Sequence, residues 1–285
     1  MTHTDLYRHT RDSLRKSGID NPEFESYAML ELLLGIKKET VLLNAKTESS
    51  REQIQIIDDA LQKRADGYPL QYITGIWEFY GNDFFVGDGV LIPRSDTEIL
   101  VDMAFDSVKS IANPVIIDLC SGSGCVGISL AKLLPKSHIY LVEYSDKAIE
   151  YIRKNIDLNK VDNVFLHKLD VLDAGKLEVF DNVTADVIVA NPPYLTALDM
   201  DNLQKEVEFE PKMALFGGND GLDFYRGISR IWKKYLKPDG MIAFEVGLGQ
   251  SDQVAEVLRE NEFRDVEFER DLIGIERVVF GIKNK

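Results

Sequence analysis

From residue 114 onward, short apolar runs alternate with segments of helical periodicity. The apolar runs predict seven strands, which are Val115–Leu119, His138–Val142, Val164–His167, Val187–Ala190, Met241–Glu245, about Arg264–Glu269, and Arg277–Ile282. The segments between them predict helices over Val126–Leu134, Asp146–Asn159, Leu222–Tyr235 and Ser251–Asn261. This alternation is typical of an α/β fold with a mostly parallel, doubly wound sheet. The last two strands follow each other without a helix, so we expect one of them to be antiparallel.

The first 66 residues have the pattern of short amphipathic helices. The first helix contains Leu6 and Leu14 and ends at Gly18, and the second begins at Asn21-Pro22 and ends at Gly35. A third is predicted over Thr40–Ala45, and a fourth follows the capping-box pattern of Ser49 with Glu52. Together they predict a small helical bundle, which either serves packing alone or docks a partner.

A different pattern occupies residues 68 to 93, where aromatic and β-branched runs are separated by Gly or Asn-Asp. The runs are Gln71–Gly75, Trp77–Tyr80, Phe84–Val86 and Val90–Ile92. They predict one or two β-hairpins. A second capping-box pattern, Ser95 with Glu98, then predicts a helix that continues to about Ile111. The predicted organisation is a helical domain over residues 1–67, a hairpin linker over residues 68–93 and an α/β domain over residues 94–285.

Composition narrows the class of protein. Apolar residues make up 45% of the chain, which is ample for a core, and no apolar run approaches the length of a membrane span. The N-terminus lacks the apolar segment of a signal peptide. The two cysteines, Cys120 and Cys125, form neither a disulfide framework nor a complete set of metal ligands. We therefore expect a cytoplasmic protein with no bound metal and no membrane association.

The net charge of −15 bears on the choice of partner. Binding to nucleic acid depends on Lys and Arg side chains that neutralise phosphates, and the chain contains no basic run. We therefore expect a protein or small-molecule partner rather than direct contact with nucleic acid.

A glycine-rich loop follows the first strand of the predicted sheet. Gly122-x-Gly124-x-x-Gly127 matches the dinucleotide fingerprint, and it lies where that fingerprint requires, between a strand and a helix. Glu143 ends the second strand, where an acidic side chain reaches ribose hydroxyls. Asp170-Val171 follows the third strand and is placed to border an adenine edge. These positions predict a nucleotide-like ligand at the carboxyl ends of adjacent strands.

The fourth strand ends at Asn191-Pro192-Pro193-Tyr194. Two successive prolines fix φ twice and remove two N–H donors, so the segment must leave the sheet as a stiff turn. Such a turn exposes backbone carbonyls and the Asn191 amide, which can hold a planar amide or amino group; Asn-Pro also marks ordinary turns. Because the chain has no Tyr-x-x-x-Lys pair for hydride transfer, Asp118 and this turn favour S-adenosylmethionine over a nicotinamide cofactor.

Over nearly its whole length the chain resembles the HemK/PrmC family of release factor glutamine N5-methyltransferases. The matching segments are Pro69–Gly75, Ile92–Glu98, Asp118–Gly124, Asn191–Tyr194, Glu208–Pro211, Gly217–Tyr225 and Glu245–Gly247. The chain departs from the family pattern at three positions. Cys120 stands where Gly is usual, Ser95 where Pro is usual, and Glu143 where Asp is frequent.

The resemblance implies a seven-stranded, Rossmann-like class I methyltransferase domain that uses S-adenosylmethionine and releases S-adenosylhomocysteine. It implies a release factor as the protein substrate, methylated at the glutamine of its Gly-Gly-Gln motif, and a monomeric enzyme. The expected cofactor-binding residues are Cys120, Ser121, Gly122, Ser123, Gly124, Glu143, Asp170, Val171 and Asn191. Asn191, Pro192, Pro193 and Tyr194 are expected to bind the glutamine, with Asn191, Pro192 and Tyr194 as catalytic residues. Pro93-Arg94 and Glu98 are expected to close the site.

Three alternatives share parts of this pattern. A methyltransferase acting on exocyclic amines of nucleic acid uses the same turn, although the acidic charge weighs against it. Methylation of a glutamine in a ribosomal protein is poorly separated by these motifs. A non-catalytic S-adenosylmethionine-binding module is the third, although it needs no amide-holding turn.

Overall fold

The computed structural model describes residues 1–43 and 47–285. These residues form two compact units. The first unit comprises Met1–Trp77, Val86–Asp88 and Gln204–Phe209, and the second comprises Glu78–Phe85, Gly89–Leu203 and Glu210–Lys285. No helix among the described residues is long and apolar enough to span a membrane.

The first unit is a bundle of short helices. They are α1 (His3–Lys16), α2 (Pro22–Leu34), α3 (Lys38–Leu43), α4 (Arg51–Ala65) and α5 (Leu70–Thr74). Buried apolar side chains from these helices, among them Leu6, Leu30 and Ile57, form the core of the unit. The predicted helical bundle is therefore present, and α2 begins at Pro22 after its N-cap Asn21 as expected.

Three local predictions in this region need correction. The capping box of α4 uses Ser50 and Gln53, one position later than the predicted pair Ser49 and Glu52. The segment Gln71–Gly75 was predicted as a strand, but residues 70–74 form α5 between Pro69 and the left-handed Gly75. The predicted helix Thr40–Ala45 is observed as α3, and its last two residues lie outside the described part of the chain.

A two-stranded sheet follows, made of β1 (Ile76–Phe79) and β2 (Asn82–Phe85). One hairpin is therefore present, but Val90–Ile92 is not a strand. The Ser95–Glu98 capping box is also wrong. Residues 95–97 form a turn of 3₁₀ helix without a side-chain cap, and the Glu98 carboxylate instead accepts a hydrogen bond from the Tyr80 N–H at 2.8 Å.

The second unit contains the seven-stranded sheet. Its strands are β3 (Val115–Leu119), β4 (His138–Glu143), β5 (Val164–Lys168), β6 (Ala185–Ala190), β7 (Leu236–Glu245), β8 (Phe263–Arg270) and β9 (Glu276–Lys283). They lie in the order β5-β4-β3-β6-β7-β9-β8. β9 is antiparallel to both of its neighbours, which confirms the expectation of one antiparallel strand. The predicted α/β class and mostly parallel sheet are confirmed.

Helices cover both faces of this sheet. They are α6 (Glu98–Val108), α7 (Cys125–Leu133), α8 (Asp146–Asn159), α9 (Ala197–Met200), α10 (Asp223–Trp232) and α11 (Ser251–Glu260). Successive strand residues point to opposite faces. Ile117 and Ile188 accordingly join one apolar cluster, while Ile116, Val187 and Val189 join the other. Because both faces are buried, the central strands are continuous apolar runs, which is why the sequence located them well.

Candidate active site

A cavity of about 270 Å³ opens at the carboxyl ends of the central strands. The chain leaves β3 toward β4 on one side and later adds β6 on the other. This reversal of strand order creates a crevice, where open α/β sheets bind ligands. The cavity brings together seven of the residues expected from the sequence, which are Cys120, Gly122, Glu143, Asp170, Val171, Asn191 and Pro193.

The remaining expected residues lie elsewhere. Ser121 and Ser123 line a smaller cavity of about 30 Å³, which shares Leu91, Cys120, Gly122 and Asn191 with the larger one. Gly124, Pro192 and Tyr194 line neither cavity. The Tyr194 ring instead packs against the apolar cluster on one face of the sheet, and burial raises the pKa of its hydroxyl to about 12.

Several residues that line the larger cavity were not anticipated as site residues. They include Gly89, Val90, Leu91, Tyr144, Leu172, Met213 and Phe224. Val90 and Leu91 belong to the apolar run that the sequence assigned to a strand. A short continuous apolar run cannot distinguish a strand from an extended wall of a cavity.

Two carboxylates, those of Asp118 and Glu143, hold the glycine-rich loop in place. Asp118, only 2% exposed, accepts a hydrogen bond at 3.0 Å from the Gly127 N–H in the first turn of α7. Burial raises the pKa of Asp118 to about 7, although this hydrogen bond acts in the opposite direction. The Gly122 N–H donates to Glu143 Oε2 at 2.9 Å. The loop is thereby connected to the ends of both β3 and β4.

Glu143 has a second set of contacts in the chain that follows it. Its Oε1 accepts hydrogen bonds from the N–H groups of Tyr144 and Ser145, each at 2.8 Å. Burial raises the pKa of Glu143, while these backbone donors lower it. An ionised carboxylate has about four lone-pair positions. Glu143 therefore retains capacity for a ligand hydroxyl after accepting its three backbone hydrogen bonds.

Asn191 comes directly after β6, and its side chain is oriented by a hydrogen bond. Its Nδ2 donates to the Thr97 hydroxyl at 3.3 Å. Because Nδ2 is turned toward Thr97, the carbonyl oxygen Oδ1 is left as an acceptor on a residue that lines both cavities.

Close backbone packing supports the Pro193-Tyr194 segment from behind. The backbones of Leu195 and Leu215 are joined by a hydrogen bond of 2.8 Å, which brings Gly217 against the turn. A side-chain carbon at Gly217 would lie 2.6 Å from the Pro193 carbonyl oxygen, and one at Gly221 would lie 2.3 Å from the Tyr194 carbonyl oxygen. Only glycine permits this approach.

Gln250 adds a polar connection to the same turn. Its Nε2 donates to the Tyr194 carbonyl at 2.9 Å, and its Oε1 accepts from the Gly247 N–H at 3.1 Å. We refer to Gly217, Gly221, Gly247 and Gln250 as the support residues. These contacts give a structural reason for two motifs of the sequence, Gly217–Tyr225 and Glu245–Gly247.

Arg94 and Glu210 form an ion pair beside the smaller cavity. The Glu210 side chain is only 2% exposed, and its Oε2 also accepts a hydrogen bond from the Ile92 N–H at 3.1 Å. Pro93 and Arg94 line the smaller cavity, in the region expected from the sequence. Glu98 lines neither cavity, because its carboxylate binds the Tyr80 backbone.

Two family models match this chain. Residues 5–75 match the model described as the PrmC N-terminal domain, and residues 96–209 match the methyltransferase small domain. Release factor glutamine methyltransferases from Fusobacterium nucleatum and Geobacter sulfurreducens are each 36% identical to this chain. These alignments cover 98% and 95% of this chain, and 78% and 93% of the two relatives. The chain belongs to the release factor glutamine methyltransferase family. The resemblance drawn from the motifs is confirmed.

Solved structures support the fold. A methyltransferase from Pyrococcus furiosus superposes with a TM-score of 0.52 at 17% identity, covering 83% of this chain and all of that one. The catalytic domain of hMettl16, solved in complex with MAT2A 3'UTR hairpin 6, gives 0.58 at 15% identity and covers 83% of each chain. At such low identities the likeness shows the methyltransferase fold alone.

Cys120, which stands where the family usually has Gly, has a backbone conformation that favours glycine. Cys120 has φ of +58°, in the left-handed region that glycine occupies freely and other residues occupy at a cost. Burial, followed by the charges of Glu143, Asp118 and Asp170, raises the pKa of its thiol well above the ordinary value. The thiol therefore stays protonated and is a poor nucleophile.

Substitutions at Cys120 test this backbone conformation. We expect Cys120→Gly to fold normally, whereas Cys120→Val should lower the free energy of unfolding by about 2 kcal/mol, because a β-branched residue is strained at positive φ. Cys125→Val is the matched control, since Cys125 is buried and helical, and it should lower that energy by less than about 1.5 kcal/mol. Urea unfolding measures all three variants. Equal losses for the two valine variants would contradict the assignment of strain to Cys120.

Proposed function

We propose that this protein transfers the methyl group of S-adenosylmethionine to the side-chain amide nitrogen of the Gly-Gly-Gln glutamine in peptide chain release factors. The observation that carries the proposal is its similarity, over 98% and 95% of its length, to two release factor glutamine methyltransferases. The geometry supports it, because an amide acceptor on Asn191 borders a cavity of the kind that the fold uses for nucleotides.

The chemistry of the larger cavity fits S-adenosylmethionine. Glu143 retains lone pairs for ribose hydroxyls, and the carboxylates of Glu143 and Asp170 favour a cationic ligand. Apolar side chains, among them Val142, Leu172 and Phe224, supply surfaces for an adenine ring. When bound, S-adenosylmethionine supplies a methyl group that its sulfonium makes strongly electrophilic. Leu172 and Phe224 extend the set of cofactor-binding residues expected from the sequence.

The residues of the turn would hold the glutamine. An amide nitrogen is a poor nucleophile because its lone pair is delocalised into the carbonyl. Asn191 Oδ1 and the Pro192 carbonyl would accept its two N–H bonds, and positive charge that develops on that nitrogen during attack strengthens both hydrogen bonds. The two prolines keep these acceptors rigid, so much of the rate comes from positioning.

No side chain is assigned as a base before transfer. A methylated amide nitrogen that carries positive charge is strongly acidic, so water accepts its proton afterwards. The protonated Cys120 thiol in the cavity wall competes poorly with the substrate for the methyl group, because the thiolate is the nucleophilic form.

The proposed partner is a release factor rather than nucleic acid, a choice supported by the net charge of −15. The first unit, which matches the PrmC N-terminal domain model, is proposed to dock the release factor. We propose that the enzyme acts as a monomer in the cytoplasm.

The decisive experiment incubates the protein with methyl-labelled S-adenosylmethionine and purified release factor, and maps the methylated residue by mass spectrometry. We expect label on the Gly-Gly-Gln glutamine and none on a release factor in which that glutamine is alanine. Parallel reactions contain ribosomal proteins, RNA and DNA. Label found only in one of those samples would overturn the proposed substrate. If no acceptor is methylated, the protein would instead be a non-catalytic S-adenosylmethionine-binding module.

A further inference from the structure

Two segments that contain neither α-helix nor β-strand form part of the wall of the larger cavity. The first wall segment is residues 89–94, of which Gly89, Val90 and Leu91 line that cavity. The second wall segment is residues 211–214, of which Pro211, Met213 and Ala214 line it. Because neither segment belongs to the sheet, the distance between them depends on contacts outside the strand ladder.

Glu210 joins the two wall segments. It directly precedes the second segment, and both oxygens of its carboxylate bind the first. Oε2 accepts a hydrogen bond from the Ile92 N–H at 3.1 Å, and Oε1 accepts one from the Arg94 guanidinium. The Glu210 side chain is 2% exposed, whereas that of Arg94 is 38% exposed. Hydrogen bonds to a charged group are about twice as strong as neutral ones, so this is a strong connection.

A proline follows each of the two residues at the centre of this connection. Pro93 follows Ile92, and Pro211 follows Glu210. Proline fixes its own φ and restricts the residue before it to extended conformations. Both chains are therefore stiff where they are joined, and the contact between Glu210 and Ile92 determines where the adjoining residues of the cavity wall lie.

We propose that Glu210 is a positioning residue, which acts through Arg94 and Ile92 to hold the two wall segments together and thereby slows release of S-adenosylmethionine. The sequence predicted that Pro93-Arg94 and Glu98 close the site. Glu98 binds the Tyr80 backbone instead, and Glu210 supplies the carboxylate that pairs with Arg94. This inference rests on the proposed function, which assigns the cofactor to the larger cavity.

Glu210→Gln is the main test, because it keeps the size of the side chain and removes one acceptor. A carboxylate offers one oxygen to each of two donors, whereas the NH₂ group of glutamine cannot accept. The hydrogen bond from Ile92 or from Arg94 must therefore be lost. We expect the variant to fold, because Arg94 is partly exposed and can be solvated. Glu262→Gln is the matched control, since Glu262 is exposed and forms an ion pair with Lys233 at 2.9 Å.

The first experiment needs no catalysis. Hydrogen exchange followed by mass spectrometry is measured on the full-length protein with and without S-adenosylhomocysteine. We expect the ligand to protect peptides from both wall segments in the unmodified protein. Without ligand, those peptides should exchange about tenfold faster in Glu210→Gln, because the loss of one hydrogen bond to a charged group shifts the local opening equilibrium by about that factor. Equal exchange in Glu210→Gln and Glu262→Gln would overturn the proposal.

The second experiment separates release of the cofactor from methyl transfer. In a stopped-flow displacement measurement, Glu210→Gln should increase the dissociation rate of S-adenosylhomocysteine about tenfold. The single-turnover rate of methyl transfer to release factor at saturating S-adenosylmethionine should change less than about threefold, because the turn that contains Asn191 keeps its support residues. An unchanged dissociation rate in Glu210→Gln would show that the residue does not slow cofactor release.

A double variant tests whether Glu210 acts through Arg94. Arg94→Met leaves the Glu210 carboxylate buried without its cation, so it should increase the dissociation rate at least as much as Glu210→Gln does. In the double variant, the increase should be smaller than the product of the two single increases, because both substitutions remove the same interaction. Increases that multiply would mean that the two side chains act independently, which contradicts the proposal.

The two proposals fail in different ways. If the wall segments behave as expected but no release factor is methylated, the proposed function is wrong and the role of Glu210 stands. If release factor is methylated but Glu210→Gln changes neither hydrogen exchange nor the dissociation rate, the function stands and the role of Glu210 is wrong.

Discussion

Asn191→Ala is expected to lower kcat for methylation of release factor by about 10² to 10³. The substitution removes Oδ1, one of the two acceptors proposed for the substrate N–H bonds, and a preorganised polar group of this kind typically contributes that factor. Those hydrogen bonds strengthen as charge develops on nitrogen, so the loss falls on the transition state more than on binding. We expect S-adenosylmethionine affinity to change by only a few-fold, because most of the wall of the larger cavity remains.

Single-turnover methylation with labelled cofactor measures the rate of methyl transfer. Calorimetric titration with S-adenosylhomocysteine measures the affinity of the cofactor site. Asn202→Ala is the matched control, since Asn202 is exposed and its side-chain amide donates to the nearby Leu198 carbonyl at 2.8 Å. The control should be fully active. Methylation by Asn191→Ala at the rate of the control would remove Asn191 from the mechanism.

In the first unit, Arg64→Ala is expected to lower stability by about 3 kcal/mol or more. The Arg64 side chain is 5% exposed and binds Glu25 through two hydrogen bonds of 2.7 and 2.9 Å. It also donates to Glu206 at 2.7 Å. Removing the guanidinium leaves the Glu25 carboxylate buried without its cation, which is far more destabilising than loss of an exposed ion pair.

Hydrogen exchange followed by mass spectrometry can localise this effect. Peptides from α2 and α4 should exchange faster in Arg64→Ala, whereas peptides from the central strands of the sheet should be unaffected. Arg8→Ala is the control, because Arg8 is exposed and lies 3.8 Å from Asp5. The double variant Arg64→Met with Glu25→Leu should recover much of the loss, since no charge is left buried. Normal exchange in Arg64→Ala would show that the pair contributes little.

The sequence predicted the sheet better than the segments around it, for physical reasons. β3 and α8 have the predicted bounds, because strands buried on both faces and amphipathic helices carry strong local signals. Capping boxes were less reliable. Ser49 with Glu52 and Ser50 with Gln53 both fit the pattern, and only the folded chain selects the second pair. Glu98 fits the pattern too, but a contact with the Tyr80 backbone takes its carboxylate.

The site was predicted unevenly for a related reason. Residues at strand ends, such as Glu143 and Asn191, could be located because parallel strands end at the same edge. The hydrogen-bond partner of Asn191 could not, since Thr97 is 94 positions away and reaches it only through packing. The position of Gly217 against Pro193 likewise depends on a backbone contact that no local pattern encodes.

In the Asn191–Tyr194 turn, one proposed acceptor is a side-chain oxygen and the other is a main-chain carbonyl, so substitutions affect the two in different ways. An acceptor on the Pro192 carbonyl belongs to the main chain, so no codon change at that position can delete it. Its location depends on the support residues, where any side chain at Gly217 or Gly221 would displace the turn. In a saturation scan scored by release factor methylation, loss of this acceptor would therefore be recorded at those glycines, more than twenty positions downstream of the group that is lost.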